Sequence, residues 1–248
     1  MRNVSLLITV PVYGQHEYTH ALVEDLERES ADYLIIDNGG DYPKLGGERV
    51  IRPGENLGWA GGSEMGFRIA FSDGYSHAMT LNNDTRVSKG FVGELLNPRL
   101  PDDAGIIGPL YDDPYGFTAM RADYDGPAAD YIPVPRYRKL SALDGTAMVV
   151  SRKAWRRVGG FDLRLFGRYG WGADLDLSFR MRRAGFGIYA TEMAFINHFG
   201  RKTAHAVFGQ KRYHLCAKWR ANLGMRYIYG KKWFEEFATA PVVVDLAE

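Results

Sequence analysis

The sequence contains a single cysteine, Cys216, among 248 residues. One thiol excludes an intramolecular disulfide and also a metal centre built from several thiolates. Long apolar runs are missing too, because no stretch approaches the roughly 20 residues of a membrane-spanning helix. The N-terminal residues lead directly into a predicted strand rather than into a signal peptide, so we expect a cytoplasmic protein.

An excess of charge of either sign is also absent, since the formal net charge is +1. A protein that binds nucleic acid through its overall charge is strongly basic, so we expect no sequence-specific nucleic-acid partner. This balance leaves room for a local basic patch. With 46% hydrophobic and 25% charged residues, the chain can bury a full core as one large α/β domain, with or without an appended tail.

The first elements follow a strand, helix, strand pattern. Leu6–Val12 is short and rich in β-branched residues, which predicts a buried strand. His16–Glu29 has apolar residues four apart with charges between them, which predicts an amphipathic helix. Tyr33–Ile36 then predicts a second buried strand, and a unit of this kind implies parallel pairing.

The stretch from His77 to Leu81 predicts a further buried strand that delivers Asn82, Asn83 and Asp84 to its C-terminal end. Open α/β sheets bind ligands at that end of their strands. One carboxylate flanked by two amides suits a hard divalent cation that also accepts phosphate oxygens from a substrate. The alternative is a turn rich in Asn and Asp that only ends the strand.

A glycine-rich segment spans Pro53–Ser63 and predicts a turn ahead of a helix that runs through Phe67 to Phe71. Glycines before a helix allow backbone N–H groups to approach an anion, although a structural role explains the segment equally well. The segment matches neither the phosphate-binding loop of nucleoside triphosphatases nor the dinucleotide-binding fingerprint.

Two later segments complete the set of candidate sites. Residues 109–140 are rich in proline, aspartate and tyrosine without a clear period, which is typical of a functional loop. Residues 170–185 fit either a strand or a helix, and we favour a helix that carries Asp174 and Asp176 in its first turn, where carboxylates also stabilise a helix. A predicted strand then presents His198 close to further basic residues.

The C-terminal segment from Lys202 to Lys232 is basic, aromatic and predicted to be helical. Such a helix either packs on the domain with a solvated polar face or makes a peripheral, salt-sensitive contact with an anionic membrane.

Taken in order, several motifs carry a resemblance to a known family. They are Val10-Pro11-Val12-Tyr13, Asp37-Asn38, Asn56-Leu57-Gly58-Trp59-Ala60-Gly61-Gly62, Leu81-Asn82-Asn83-Asp84-Thr85, Gly159-Gly160-Phe161-Asp162, Trp171-Gly172-Ala173-Asp174-Leu175-Asp176-Leu177 and His198-Phe199-Gly200-Arg201-Lys202-Thr203. In this order the sequence resembles the family-2-like glycosyltransferases, particularly the rhamnosyltransferase-type branch, over about residues 5 to 205.

The resemblance implies an α/β GT-A fold, the Rossmann-like fold of nucleotide-diphospho-sugar transferases, with a mostly parallel central sheet flanked by helices. It implies a GT-A domain over residues 1–205, with 109–140 as a variable loop on the acceptor side. Residues 206–248 would form a basic, aromatic helical extension packed on that domain.

The resemblance also implies a metal-dependent, inverting transfer of a sugar, and it assigns roles by position. A nucleoside-diphosphate sugar, most simply UDP- or dTDP-linked, would be the donor, and a glycan, lipid-linked or protein hydroxyl the acceptor. Asp174 would be the general base, and Mn²⁺ or Mg²⁺ would be held by Asp84 with Asn82 or His198. The residues implied at the nucleotide sugar are Pro11, Tyr13, Asp37, Asn56, Gly61, Gly62, Asn83, Arg201 and Lys202.

The sequence departs from the family in two places. Ala173 stands where the family often has a glutamate that orients the acceptor, and the metal motif offers one acid rather than two. A sugar-phosphate nucleotidyltransferase is one alternative, although the basic phosphate loop that it needs after the first strand is absent. A binding module that kept the fold and lost turnover is another, and Ala173 makes it worth testing.

Overall fold

The protein forms a mixed sheet covered by helices. The structure, a computed structural model, describes residues 5–200, 202 and 209–246. The strands are β1 (Leu6–Val12), β2 (Tyr33–Asp37), β3 (Val50–Ile51), β4 (His77–Leu81), β5 (Thr85–Val87), β6 (Ala104–Tyr111), β7 (Arg136–Lys139), β8 (Ala147–Ser151), β9 (Gly187–His198) and β10 (Val242–Asp245). The implied boundary near residue 205 lies outside the described residues.

The described α-helices have the following bounds. They are α1 (His16–Arg28), α2 (Gly58–Ser72), α3 (Phe91–Leu95), α4 (Arg152–Val158), α5 (Leu163–Phe166), α6 (Ala173–Arg183), α7 (Gln210–Tyr229) and α8 (Trp233–Phe237). Short 3-10 turns occupy Thr118–Met120 and Ala128–Asp130 within the loop that the sequence predicts. None of the described helices combines the length and the apolar character needed to cross a membrane.

The strand order across the sheet is β10-β7-β9-β6-β8-β4-β1-β2-β3, and β5 pairs with β9. Strands β1 to β4 pair in parallel, as the strand, helix, strand pattern predicts. The α/β class is confirmed, but the sheet is mixed rather than mostly parallel, because β8 pairs antiparallel with both β4 and β6. The segment between β6 and β8 holds no α-helix. Without a crossover helix, a strand returns antiparallel.

Although β8 is antiparallel to both of its neighbours, the strands on either side of it run in the same direction. Since β8 is antiparallel to both β4 and β6, these two run the same way, and β9 pairs in parallel with β6. The carboxyl ends of β1, β2, β4, β6 and β9 therefore meet at one edge of the sheet. The start of β8 lies at the same edge, because Leu81 pairs with Ala147.

Two predicted boundaries need correction. The segment predicted as a glycine-rich turn ahead of a helix is already helical from Gly58, so Gly61 and Gly62 lie inside α2. Small residues on this helix permit its close approach to β1, since a Cβ on Gly66 would lie 2.0 Å from Oγ1 of Thr9. The strand predicted to present His198 is the end of a longer strand, β9, which begins at Gly187 and whose register against β6 shifts between Pro109 and Leu110.

Candidate functional site

A cleft of about 400 Å³ opens at the edge where the carboxyl ends of the aligned strands meet. Its volume is within the range of small-molecule sites, and this edge is where α/β sheets bind ligands. The sequence-predicted site residues that line it are Pro11, Tyr13, Asn56, Asn82, Asn83, Asp84, Asp174 and His198. The structure thus gathers residues from positions 11 to 198 around one cavity.

Asp37 does not line the cleft. Its Oδ1 accepts a hydrogen bond from the backbone N–H of Gly40, and its Oδ2 accepts from the backbone N–H of Tyr42 and from Nε of Arg52. The carboxylate is buried and holds the loop after β2. The next residue, Asn38, lines the cleft instead, and its Oδ1 accepts from the N–H of Leu57.

Gly61 and Gly62 are not among the residues that line the cleft. A Cβ on Gly62 would come within 3.3 Å of Cβ of Pro11, which shows how tightly α2 packs against the end of β1. The side chain of Lys202 lies over the ring of Tyr18, with Nζ 5.8 Å from the ring centroid. Arg201 lies outside the described residues.

Asp84 and His198 form a buried pair on the cleft wall. Oδ2 of Asp84 accepts a hydrogen bond of 2.9 Å from the backbone N–H of Lys202. Its Oδ1 lies 3.4 Å from Nε2 of His198, while Nδ1 of His198 lies 2.9 Å from Oδ2 of Asp113. Strands β5 and β9 fix this arrangement, because Thr85 pairs directly with His198.

Contacts with neighbouring buried groups set the pKa values of His198 and Asp84. Burial alone would lower the pKa of His198, but the hydrogen bonds and charges of Asp113 and Asp84 outweigh it and raise that pKa to about 9. Burial alone would raise the pKa of Asp84, yet the interaction with His198 and the N–H of Lys202 hold it below its usual value. The carboxylate is therefore ionised at neutral pH.

The same pair could hold a divalent cation if the ion displaced the Nε2 proton of His198, because histidine binds a metal as the neutral imidazole. Nε2 of His198 is buried and makes no hydrogen bond of good geometry within the described residues, and it faces the Asp84 oxygen at 3.4 Å. Two ligand atoms bound about 2.1 Å from one ion stand about 3 Å apart, close to this separation. The described residues include no group of three or more His, Cys, Asp or Glu side chains that could hold a metal. Within this part of the chain, Asp84 and His198 could therefore supply only part of a coordination shell.

Asp174 lies on the cleft wall at the start of α6. Its Oδ2 accepts a hydrogen bond of 3.1 Å from the backbone N–H of Gly145, and its Oδ1 accepts one from the N–H of Leu175. Gly172, in the left-handed region at φ 96°, turns the chain into this helix. Burial and the nearby charge of Asp144 raise the pKa of Asp174 to about 7.

Asp144 is a site residue that the sequence analysis missed. It lies in the turn before β8, lines the cleft, and accepts hydrogen bonds from the N–H and the hydroxyl of Thr146. An Asp-Gly-Thr turn at the end of a proline-rich loop is an ordinary sequence pattern. Only the antiparallel pairing of β8 with β4 shows that this turn lies at the functional edge.

An aromatic wall was also missed. Tyr169 and Trp171 stack with their ring centroids 5.6 Å apart, and the ring of Tyr213 meets Trp171 edge-on. Tyr213, Ala217, Lys218 and Ala221 of α7 complete this side of the cleft. Single aromatic residues in a sequence carry no such signal, because most of them belong to hydrophobic cores.

Asp176 lies two residues after Asp174 and has a different environment. It is buried, accepts a hydrogen bond from Nε of Arg180, and accepts another from the hydroxyl of Tyr229 at 2.7 Å. The hydrogen bond from Tyr229 ties α6 to α7. The residue therefore holds the helix that forms one wall of the cleft, and it does not line the cavity.

Comparison with known proteins places the chain among close relatives. It is 65% identical over 227 residues to Uncharacterized protein Rv1525 and Uncharacterized protein MT1576 of Mycobacterium tuberculosis and to Uncharacterized protein Mb1552 of Mycobacterium bovis. The matched region covers 92% of this chain and 86% of each relative. No protein-family model matches the chain.

Solved structures show the fold. The chain resembles GalNAc-T7, crystallised with UDP, GalNAc and Mn²⁺, with a TM-score of 0.57 and 15% identity over 80% of this chain. The matched part covers 44% of that protein, so the chain spans less than half of its length. A197 from STIV matches 79% of this chain and 86% of its own, with a TM-score of 0.50 and 13% identity. The expected GT-A-like fold is confirmed, and identities this low show the fold alone.

Proposed function

The chain belongs to the same family as these three mycobacterial proteins, and from this premise and the geometry of the cleft we propose that it is an inverting glycosyltransferase. It moves a sugar from a nucleoside-diphosphate donor to an acceptor hydroxyl. The observation that carries this proposal is that one cleft holds two carboxylates in opposite electrostatic states. Asp84 is held ionised by His198, whereas the pKa of Asp174 is raised to about 7.

Such a division of two carboxylates matches the two demands of sugar transfer. A departing diphosphate develops negative charge, and Mn²⁺ or Mg²⁺ would supply the positive charge that stabilises it. Asp84 would hold the ion together with His198, which would release its Nε2 proton to solvent when the ion binds. Ions of this type take one or two protein ligands and complete their shell with substrate phosphates, which suits the partial shell of this site. Asn82, which directly follows strand β4, is the third proposed ligand.

The acceptor hydroxyl is weakly acidic and needs a positioned base. Asp174 accepts that proton in our proposal, and the N–H groups of Gly145 and Leu175 fix the direction of its carboxylate. A base with a pKa near 7 is half ionised at neutral pH and still strong enough to take a proton in the transition state. Ala173, which stands where a second acid is often found, leaves this task to Asp174.

The cleft also suggests where the donor and the acceptor lie. We place the nucleotide against Pro11, Tyr13 and Asn56, with a UDP- or dTDP-linked hexose or rhamnose as the donor. The aromatic wall of Tyr169 and Trp171 suits the apolar face of a sugar ring. In our proposal, a glycan or a lipid- or protein-linked hydroxyl binds on the Asp174 side.

Donor binding and hydrolysis test the proposal directly. A panel of UDP-, dTDP- and GDP-sugars with Mn²⁺ should contain at least one member that raises the melting temperature, because a ligand that binds only the folded state stabilises it. The same donor should be slowly hydrolysed to free sugar and nucleoside diphosphate. Binding of a donor without hydrolysis or transfer would favour the binding module. Pyrophosphate release from a sugar phosphate and a nucleoside triphosphate would favour the nucleotidyltransferase.

The pH dependence of catalysis should report the state of Asp174. The base works when ionised, so kcat/KM should rise with pH and level off above about 7, the pKa of this carboxyl in the folded protein. Asp144→Asn keeps the acceptor oxygen for Thr146 and removes a neighbouring negative charge. The pKa of Asp174 should then fall, and the rising limb of kcat/KM should move to lower pH.

An exposed carboxylate outside the cleft provides the control for this shift. Asp123→Asn removes the same charge and should leave the limb in place. A limb that stays near pH 7 in Asp144→Asn, measured with a full profile of kcat/KM against pH, would show that another group controls the rate.

A further inference from the structure

Helix α7 presents an apolar stripe on the face that points away from the cleft. Leu215, Trp219, Leu223 and Tyr227 lie at intervals of four residues, a spacing that places side chains on one helix face. Each is between 56% and 82% exposed. Large apolar side chains that are clustered and exposed to this degree mark an interaction surface rather than ordinary surface scatter.

The opposite face of α7 packs against the rest of the protein. Gly224 and Met225 are buried, and a Cβ on Gly224 would come within 2.5 Å of the ring of Phe166. Tyr229 is bonded to Asp176, as described above. The helix is therefore anchored by its inner face, and none of the described residues covers the stripe.

The charges of α7 indicate what covers it. Residues 210–229 contain no Asp or Glu and five Lys and Arg residues. Lys218 lines the cleft and Arg220 lies over the ring of Trp171, whereas Lys211 and Arg226 lie beside the stripe, four residues before Leu215 and one before Tyr227. The whole chain carries a net charge of only +1, so this helix is a local concentration of positive charge. An apolar stripe with Trp, Tyr and Leu, flanked by Lys and Arg, is typical of a helix that lies in a membrane interface.

The same charges argue against a second copy of the chain on this surface. Two α7 helices in contact would bring their basic residues together without any acidic side chain on either helix to compensate them. Like charges brought into an interface oppose association. An anionic bilayer supplies both an apolar layer and the complementary charge.

We propose that α7 docks the protein on an anionic lipid surface, with the stripe inserted between headgroups and the flanking Lys and Arg side chains bonded to lipid phosphates. The proposal goes beyond the glycosyltransferase function and does not depend on it. The cleft lies on the other side of the same helix, so docking would hold it about one helix diameter, roughly 10 Å, from the headgroups.

Co-sedimentation with vesicles tests this docking. The protein should bind vesicles of phosphatidylcholine and phosphatidylglycerol at low salt, bind vesicles of phosphatidylcholine alone far more weakly, and detach as salt is raised. The double variant Trp219→Ser with Leu223→Ser should reduce binding about tenfold or more. Lys211→Gln with Arg226→Gln should reduce it about fivefold for each charge removed and weaken the preference for the anionic lipid.

A matched control uses an apolar residue exposed elsewhere. Ile132 is 80% exposed in the loop before β7, and Ile132→Ser should leave vesicle binding unchanged. Donor hydrolysis without lipid should be the same in the Trp219/Leu223 variant and in the wild type, so the two proposals are tested separately. Failure of the wild type to bind anionic vesicles at low salt would overturn the docking. Equal losses of vesicle binding in the Trp219/Leu223 variant and in Ile132→Ser would also overturn it. So would a wild-type protein that is a dimer without lipid and becomes a monomer in the Trp219/Leu223 variant.

Discussion

Asp174→Asn should lower turnover by a factor on the order of 10² to 10⁴ while donor affinity stays nearly unchanged. Asparagine keeps the shape of the side chain and an acceptor oxygen for the N–H of Gly145, but it cannot take a proton from an acceptor hydroxyl. Initial rates of transfer, together with donor binding measured by calorimetry, separate the two quantities. Near-wild-type turnover would show that the chemistry belongs to another residue.

The stability of the same variant provides an internal check. Since the folded protein raises the pKa of Asp174 from 3.8 to about 7, keeping this carboxylate ionised destabilises the fold. The destabilisation is absent below the unfolded pKa, grows as pH rises between the two values, and is complete above about 7. Asp174→Asn should therefore melt at a higher temperature than the wild type at pH 8 and at a similar temperature at acid pH. A loss of turnover accompanied by a gain in stability cannot be explained by misfolding.

Asp176→Asn is the contrasting variant. It weakens the contacts with Arg180 and Tyr229, and hydrogen bonds to charged groups contribute about 1.5 to 3 kcal/mol to stability. The variant should melt earlier and retain most of its turnover per folded molecule. An equal loss of turnover in both variants, with both folded, would contradict the division of roles.

Asp84→Ala should abolish the dependence of nucleotide binding on Mn²⁺ or Mg²⁺ and lower turnover by a factor on the order of 10² or more, since a bound metal contributes several kcal/mol of charge stabilisation. The alanine removes the carboxylate that lies 3.4 Å from Nε2 of His198. Calorimetric titration with UDP or dTDP, in Mn²⁺ and in a chelator, measures the effect. Unchanged, metal-dependent affinity would remove Asp84 from the metal site.

Two further variants test whether the effect of Asp84→Ala comes from a folding defect. Asp84→Asn keeps the acceptor for the N–H of Lys202 and removes the charge, so it should fold like the wild type and lose the same metal dependence. Asp102→Asn removes a carboxylate from an exposed position and should leave the metal dependence of nucleotide binding unchanged.

The parts of the site that the sequence predicts are those fixed by local patterns. A buried run such as His77–Leu81 marks a strand, and the residue after a parallel strand lies at a known edge of the sheet. Asn82, Asn83 and Asp84 follow from this rule. The residue pattern puts Asp174 in the first turn of a helix, but only the family resemblance gives it a role in the site. The side chain of Asp37 obeys the same rule and nevertheless turns into its own loop, because the N–H groups of Gly40 and Tyr42 use its oxygens.

The parts that the sequence does not predict depend on pairings between distant residues. Asp113 bonds to His198 across 85 residues from a loop without periodicity. Asp144 reaches the cleft because β8 returns antiparallel beside β4, a register that no local pattern specifies. The aromatic wall needs α7 to pack against α5 and α6, and small residues such as Gly172 and Gly224 reveal their purpose only in contact with Ala221 and Phe166.

The position of β9 also bears on how the chain reaches its folded state. This strand lies between β6 and β7, yet it follows both along the chain. Until it is synthesised, β6 has an open edge and β7 has no sheet to join, and open strand edges pair readily with other chains. Fragments that stop before residue 187 should therefore aggregate, and His198, which pairs with Asp84, becomes available only as the sheet closes.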